Sequence, residues 1–172
     1  MNLNLNELVQ QVNGEFAERF EGRNLDLICI PQPEPLLIRA DSRRIWRVLE
    51  NLYVNVCKYA MPGTRVYVDA IKKDGKIQFS IKNISENPLN FQADELTERF
   101  IRGDVSRSTE GSGLGLSIAK NLTVLQHGTF NIYLDGDLFK VTITFDEAVK
   151  EKKPMSPMIV PEPVQEEAQQ DV

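Results

Sequence analysis

The sequence predicts an α/β fold in which helices cover one face of a mixed, mostly antiparallel sheet, forming a two-layer sandwich. Helical and strand periodicities alternate along residues 1–146. Two hairpin signals, Lys73-Asp74-Gly75 and Gly136, separate pairs of alternating segments, which indicates antiparallel pairing. Hydrophobic residues make up 41% of the 172 residues, which suffices for one domain with a substantial core.

Apolar residues three and four positions apart predict helices, and alternating apolar residues predict strands. In chain order the predicted helices are Asn4–Phe20, a long helix from a cap at Asp41 or Ser42 to a stop at Met61-Pro62-Gly63, Asp94–Ile101, and Leu116–Gln126, which ends at Gly128. The predicted strands are Leu25–Ile30, Leu36–Arg39, Arg65–Ile71, Lys76–Lys82, Thr129–Asp135 and Leu138–Asp146. A glycine- and serine-rich loop, Gly103–Gly115, precedes the last helix.

The C-terminal stretch 147–172 has a different composition. It holds four of the nine prolines and no glycine or aromatic residue, and its six acids and three lysines supply −3 of the net charge of −5. Such a stretch cannot bury enough apolar surface to fold, so we expect a disordered tail. Its apolar segment Met155–Val160 is a candidate for docking on a partner.

Charge and composition argue against several function classes. The net charge of −5 is opposite to the basic footprint of a general nucleic-acid binder. No apolar run approaches the roughly 20 residues of a membrane span, so we expect no membrane contact by this chain. One histidine and two separated cysteines, Cys29 and Cys57, argue against a zinc cluster.

The first candidate site is a glycine motif that runs into a helix. In Gly111-Ser112-Gly113-Leu114-Gly115, alternate glycines let backbone amides approach a bulky anion without Cβ clashes. The following helix supplies free N–H groups and the positive end of its dipole, so the motif is suited to phosphate. It is neither a Walker loop nor a dinucleotide fingerprint, and taken alone it is better explained as a flexible turn.

The second candidate site is a polar stripe on the long helix. Asn51, Asn55 and Lys58 lie at i, i+4 and i+7, so they share one helix face. An amide oxygen is a suitable ligand for Mg²⁺, and a nearby lysine can reach phosphates as a point charge. The alternative is the polar edge of an amphipathic helix.

Together with Glu98-Arg99-Phe100-Ile101-Arg102-Gly103-Asp104, these motifs agree in order and spacing with a known family over residues 36–146. They resemble the ATP-binding catalytic domain of sensor histidine kinases, which shares the Bergerat fold with gyrase-type topoisomerases, mismatch-repair ATPases and an ATP-dependent chaperone. The resemblance implies a kinase that binds ATP with Mg²⁺ and transfers a phosphoryl group to histidine.

The resemblance also implies a role for each motif residue. Asn55 would hold the Mg²⁺ that bridges the ATP phosphates, while Lys58 and Arg102 would contact phosphate as the other catalytic groups. Residues 103–110 would form the lid over ATP. The remaining nucleotide-binding residues implied by the resemblance are Asn51, Tyr59, Asn83, Phe100, Gly111, Ser112, Gly113, Leu114 and Gly115.

One motif departs from the family pattern. Where the family has Asp-x-Gly-x-Gly, whose aspartate accepts a hydrogen bond from the adenine amino group, this chain has Asn83 and neither glycine. The amide oxygen of asparagine accepts the same bond as a neutral group. We therefore expect adenine binding that is weakened rather than lost.

A missing carboxylate favours transfer over hydrolysis. Hydrolysing members of the superfamily carry a water-activating glutamate one turn before the metal-binding asparagine, and that position is Asn51 here. Glu50 lies about 100° around the helix from it. The one histidine, His127, is expected to sit at a helix end near the dipole rather than to accept phosphate.

The resemblance implies three parts to the chain. Residues 1–25 would be the connector from a dimerisation domain that carries the acceptor histidine, 26–146 the catalytic domain, and 147–172 the tail. The expected partners are ATP or ADP, that helical domain and a response regulator, on the cytoplasmic side of a membrane-bound sensor. The alternatives are a free-standing serine kinase of the anti-sigma type and a degenerate, non-catalytic interaction module.

Overall fold

A computed structural model of the chain describes residues 1–89 and 114–149. In chain order its elements are β1 Asn2–Asn4, α1 Leu5–Gly22, β2 Asp26–Cys29, β3 Leu37–Arg39, α2 Ser42–Tyr59, β4 Arg65–Lys73, β5 Lys76–Ile84, α3 Leu114–Leu125, β6 Thr129–Asp135 and β7 Leu138–Asp146. Three predicted helices and all six predicted strands are confirmed within these ranges, whereas β1 has no sequence signal. The predicted helix Asp94–Ile101 lies outside the described residues. None of the described helices has the length and apolar character needed to cross a membrane.

Five strands form one sheet in the order β2-β4-β5-β7-β6. β2 runs parallel to β4, and the other neighbours are antiparallel, which confirms the mixed sheet. The β4–β5 turn has positive φ angles at Asp74 and Gly75, as a two-residue hairpin requires. β1 and β3 form a separate antiparallel pair, joined to the chain after β7 by a bridge between Ile38 and Glu147.

The helices cover one face of this sheet. Along β4, Val66, Val68 and Ala70 are buried, while the intervening Tyr67 and Asp69 are exposed. The same alternation continues through β5 and β7, so one face is apolar and the other polar. α1 packs on β2, β4 and α2, and α3 packs on α2 and β6. The two-layer arrangement is therefore as predicted.

An aromatic cluster fixes α1 against α2. The Tyr53 ring lies 5.2 Å from the Phe16 centroid and 5.7 Å from the Phe20 centroid, with the second pair stacked. The Tyr53 hydroxyl donates a hydrogen bond to Oδ1 of Asn13. Burial raises the pKa of Tyr53, so the phenol stays protonated and remains a donor. The two helices therefore contact each other through packed aromatic rings and through the Tyr53–Asn13 hydrogen bond.

The end of α3 lies close to the predicted one, with Leu125 as the last helical residue and Gly128 beyond it. The left-handed residue is His127 (φ +63°), and the N–H groups of His127 and Gly128 donate to Val124 O (3.0 Å) and Thr123 O (2.9 Å), as in a Schellman motif. Gly128 is required for space instead. A Cβ there would lie 2.5 Å from Phe145 Cε1 and 2.9 Å from Thr123 Cγ2. Tertiary packing therefore places the glycine one residue later than helix-capping rules predict.

We expect Gly128→Ala to lower the free energy of unfolding by about 1–3 kcal/mol, because the new methyl overpacks a closed contact. Gly14→Ala in α1 is the matched control, since no atom lies within 4 Å of a Cβ at that position. Replacing this helical glycine by alanine should raise the free energy of unfolding by about 0.5–1 kcal/mol. Urea unfolding measures both, and a Gly128→Ala chain as stable as wild type contradicts the close contact between Gly128 and Phe145.

Candidate functional site

The start of α2 is set by Asp41. Its Oδ1 accepts hydrogen bonds from the backbone N–H of Arg43 (2.9 Å) and Arg44 (3.2 Å), so Asp41, rather than Ser42, is the N-cap. This cap fixes which helix face turns toward the core. The buried apolar residues of α2 are Ile45, Val48, Leu49, Leu52, Tyr53, Val56 and Cys57.

The polar stripe of α2 contains both buried and exposed side chains. Asn55 is 9% exposed and counts among the few buried polar residues, while Asn51 is half-buried and Lys58 is exposed. Glu50 is exposed, as expected for a side chain directed away from Asn55. A buried amide and an exposed ammonium on one stripe can hold a polar ligand at the core boundary.

The N-terminus of α3 meets this stripe. Nδ2 of Asn51 donates to the carbonyl of Arg47 (2.8 Å), and a Cβ built on Gly115 would lie 3.7 Å from Asn51 Oδ1. The end of the glycine motif therefore contacts the asparagine face, although the two are far apart in the chain. The positive dipole end of α3 comes to the same place.

β5 contributes a buried acceptor. Asn83 continues the row of buried side chains after Ile81, on the sheet face that the helices cover, and is 3% exposed. Within the described residues its Oδ1 has no hydrogen-bond partner. A buried acceptor without a hydrogen bond costs about 1–3 kcal/mol of folding free energy, so an N–H donor would be bound favourably by this oxygen.

A short junction holds the end of α2 beside the end of β5. Ala60 and Ser85 form an antiparallel bridge, and the N–H of Glu86 donates to the carbonyl of Tyr59 (2.8 Å). Because Tyr59 ends α2 and Asn83 lies just before Ser85, the junction brings two predicted site residues together. The half-buried Tyr59 side chain lies at this edge.

Five predicted site residues, and the side chain of a sixth, lie outside the described residues. The five are Phe100, Arg102, Gly111, Ser112 and Gly113, and the sixth is Leu114. The described part of the site therefore consists of Asn51, Asn55, Lys58, Tyr59, Asn83 and Gly115.

Other chemistries find no support among the described residues. No group of three histidine, cysteine or acidic side chains there could hold a metal ion. Burial raises the pKa of the Cys57 thiol, although Arg19 and Arg23 act to lower it, so Cys57 is a protonated side chain rather than a nucleophile. A cavity of about 400 Å³, lined by Leu8 and Trp46 among others, lies at the other end of α2.

Sequence reasoning missed Arg23, which lies at the junction. Its Nε donates to the carbonyl of Cys57 (2.8 Å) and its Nη2 to the carbonyl of Ala60 (3.2 Å). The only local signal was an arginine just after the predicted end of α1, and nothing in its spacing indicates α2 as the target.

Comparison with known proteins supports the resemblance to histidine kinase catalytic domains. The family described as histidine kinase-, DNA gyrase B-, and HSP90-like ATPase matches residues 40–150. The signal transduction histidine-protein kinase BaeS of Escherichia coli is 29% identical over 123 residues, covering 70% of this chain and 26% of BaeS. The adaptive-response sensory kinase SasA of Synechococcus elongatus is 31% identical over 123 residues, covering 70% of this chain and 32% of SasA. The chain thus spans about a quarter to a third of these relatives.

The fold agrees with a solved structure. The catalytic domain of histidine kinase ThkA superposes with a TM-score of 0.73 at 25% identity, covering 86% of this chain and 95% of that domain. Family match, relatives and fold coincide on the region that contains α2, β5 and α3. The chain therefore belongs to the histidine kinase-, DNA gyrase B- and HSP90-like ATPase family, as the ATP-binding catalytic domain of a sensor histidine kinase.

Proposed function

We propose that this chain binds Mg-ATP between α2, α3 and the end of β5, and transfers the γ-phosphate to a histidine on a separate helical domain of the same kinase. The observation that carries the proposal is the unpaired Oδ1 of Asn83, buried beside the end of α2. The 6-amino group of adenine is a donor of the kind that this oxygen lacks. Asn83 is also the residue that the resemblance aligns with the family's adenine-binding aspartate.

The phosphates would occupy the other side of the site. The exposed ammonium of Lys58 can follow a phosphate as a flexible point charge, and the N-terminus of α3 supplies backbone donors at Gly115. Asn51 lies beside the N-terminus of α3, with its Oδ1 near Gly115. The resemblance adds Arg102, whose planar guanidinium suits the terminal phosphate.

Asn55 fits the proposed Mg²⁺ ligand. Mg²⁺ prefers oxygen ligands and completes its shell with waters and phosphate oxygens, so one neutral amide oxygen from the protein is sufficient. The buried position of Asn55 fixes its side chain at the base of the polar stripe. When bound, the ion would neutralise charge on the phosphate oxygens during transfer.

The same residues favour transfer over hydrolysis. Asn51 occupies the turn before Asn55, where a water-activating carboxylate would be needed, and Glu50 is exposed. Catalysis would then rest on positioning and charge neutralisation. His127 lies two residues beyond the opposite end of α3, and the helix from Gly115 to Leu125 is about 15 Å long. This separation argues against His127 as the acceptor within its own chain.

The signalling partner follows from the family. ThkA has been solved in complex with a response regulator, TrrA. We propose that this chain acts with a response regulator in two-component signal transduction, on the cytoplasmic side of the membrane. Its helical partner domain would supply both the acceptor histidine and dimerisation.

Substitutions at Asn83 test the adenine assignment. Asn83→Leu removes the unpaired acceptor, so we expect equal or higher stability of the free chain together with about tenfold weaker ADP binding. Asn83→Asp should tighten ADP binding, because a carboxylate is the stronger acceptor. Calorimetric titration with ADP and with inosine diphosphate, which lacks the amino group, measures both effects. Wild type should prefer ADP, and Asn83→Leu should lose that preference; an unchanged preference in Asn83→Leu refutes the adenine assignment.

Asn55→Ala tests the metal assignment. Wild type should bind ADP more tightly with Mg²⁺ than without, and Asn55→Ala should lose that increase while retaining its metal-free affinity. Asn131→Ala is the matched control, because Asn131 is an exposed asparagine on β6, a strand that contributes none of the proposed ligands. A full Mg²⁺ response in Asn55→Ala would exclude this residue as the ligand.

A further inference from the structure

The backbone of Arg23 is fixed at the end of α1. Its N–H donates to the carbonyls of Arg19 (3.2 Å) and Phe20 (3.1 Å), and Asn24 follows in the left-handed region at φ +54°. The next N–H, that of Leu25, returns to Phe20 O (2.8 Å), which completes a Schellman motif. The Arg23 side chain therefore starts from a well-defined position.

The Arg23 guanidinium satisfies the end of a different helix. It donates to the carbonyls of Cys57 (2.8 Å) and Ala60 (3.2 Å), and the last carbonyls of a helix have no partner within the helix. Its positive charge also lies at the negative end of the α2 helix dipole, where a cation is stabilised. The two contacted residues flank Lys58 and Tyr59 in the chain, and these are the two proposed nucleotide ligands at the end of α2.

The same guanidinium reaches the segment after β5. Its Nη2 lies 3.7 Å from Oε2 of Glu86, whose N–H donates to Tyr59 O. Both side chains of this pair are partly exposed, at 38% and 49%, so the pair alone contributes little. Its significance is geometric, because one guanidinium contacts both sides of the α2–β5 junction.

We propose that Arg23 is a positioning residue for the nucleotide site. By joining the end of α2 to the segment after β5, it sets the separation between the phosphate-binding residues of α2 and the adenine acceptor Asn83. Arg23 itself is the C-cap of α1, and its side-chain hydrogen bonds go to the backbone carbonyls of Cys57 and Ala60. The inference rests on the proposed nucleotide function, since it concerns the geometry of that site.

The chemistry of arginine suits this task better than that of lysine. The planar guanidinium presents donors in a fixed fork, so one side chain can hold the carbonyls of Cys57 and Ala60 in one geometry. A lysine ammonium is a point charge on a flexible stem and fixes the two carbonyls less well. An apolar side chain of similar length leaves both carbonyls without this donor.

The experiment compares Arg23→Met and Arg23→Lys with wild type. Arg19→Met is the matched control, because Arg19 lies one turn earlier on α1 and is exposed, with its guanidinium over the Phe16 ring at 4.9 Å. It removes the same charge and leaves the hydrogen bonds from Arg23 to Cys57 and Ala60 in place. Binding of ADP with Mg²⁺ is titrated at a temperature where circular dichroism shows every variant folded.

We expect Arg23→Met to bind ADP about tenfold more weakly, Arg23→Lys to fall between it and wild type, and Arg19→Met to match wild type. The preference for ADP over inosine diphosphate should fall in Arg23→Met, because misplacement separates the adenine acceptor from the phosphate side. A role in stability alone predicts a lower melting temperature with unchanged affinity and base preference, and that result overturns the inference. Arg23→Lys provides the same test should Arg23→Met not fold.

The outcomes separate the two proposals. A wild-type chain that binds no nucleotide overturns the proposed function, and the positioning role with it. Wild-type binding together with an Arg23→Met chain of wild-type affinity and base preference overturns the positioning role alone.

Discussion

The junction between the end of α2 and the end of β5 is the constraint on which the rest of the site depends. The Ala60–Ser85 bridge, the Glu86–Tyr59 hydrogen bond and a hydrogen bond from Met61 N–H to Ile84 O (2.8 Å) connect a helix to a central strand. The asparagine face of α2 and the buried acceptor of β5 belong to different layers. This connection constrains how far apart they lie.

The site places polar groups where a core would otherwise be apolar. Asn55 and Asn83 are buried within a layer of aliphatic and aromatic side chains, and an unpaired buried amide is costly. Within the described residues Oδ1 of Asn83 has no hydrogen-bond partner, so the fold carries an unfavourable buried acceptor that the proposed adenine donor would satisfy. Apolar packing around these buried polar residues comes from the aromatic cluster around Tyr53 and from the tight contact at Gly128.

Local chemistry explains what the sequence predicts well. The spacing of Asn51, Asn55 and Lys58 depends only on helical periodicity, and the β4–β5 turn depends only on Asp74-Gly75, so both are confirmed. The features that local sequence patterns do not reveal depend on contacts with distant parts of the chain.

Arg23 acts on carbonyls more than thirty residues away, which no local pattern reveals. Gly128 is a glycine because of Phe145, so the left-handed position falls on His127. The resemblance aligns Asn83 with the family's adenine-binding aspartate, but the absence of a partner for its Oδ1 among the described residues is visible only in three dimensions.

The most direct test of the account is a crystal structure of the chain with ADP and Mg²⁺. The account predicts that the adenine amino nitrogen lies about 3 Å from Asn83 Oδ1, with the phosphates beside Lys58 and the N-terminus of α3. An adenine ring bound elsewhere, with Asn83 Oδ1 still unpaired, would contradict it.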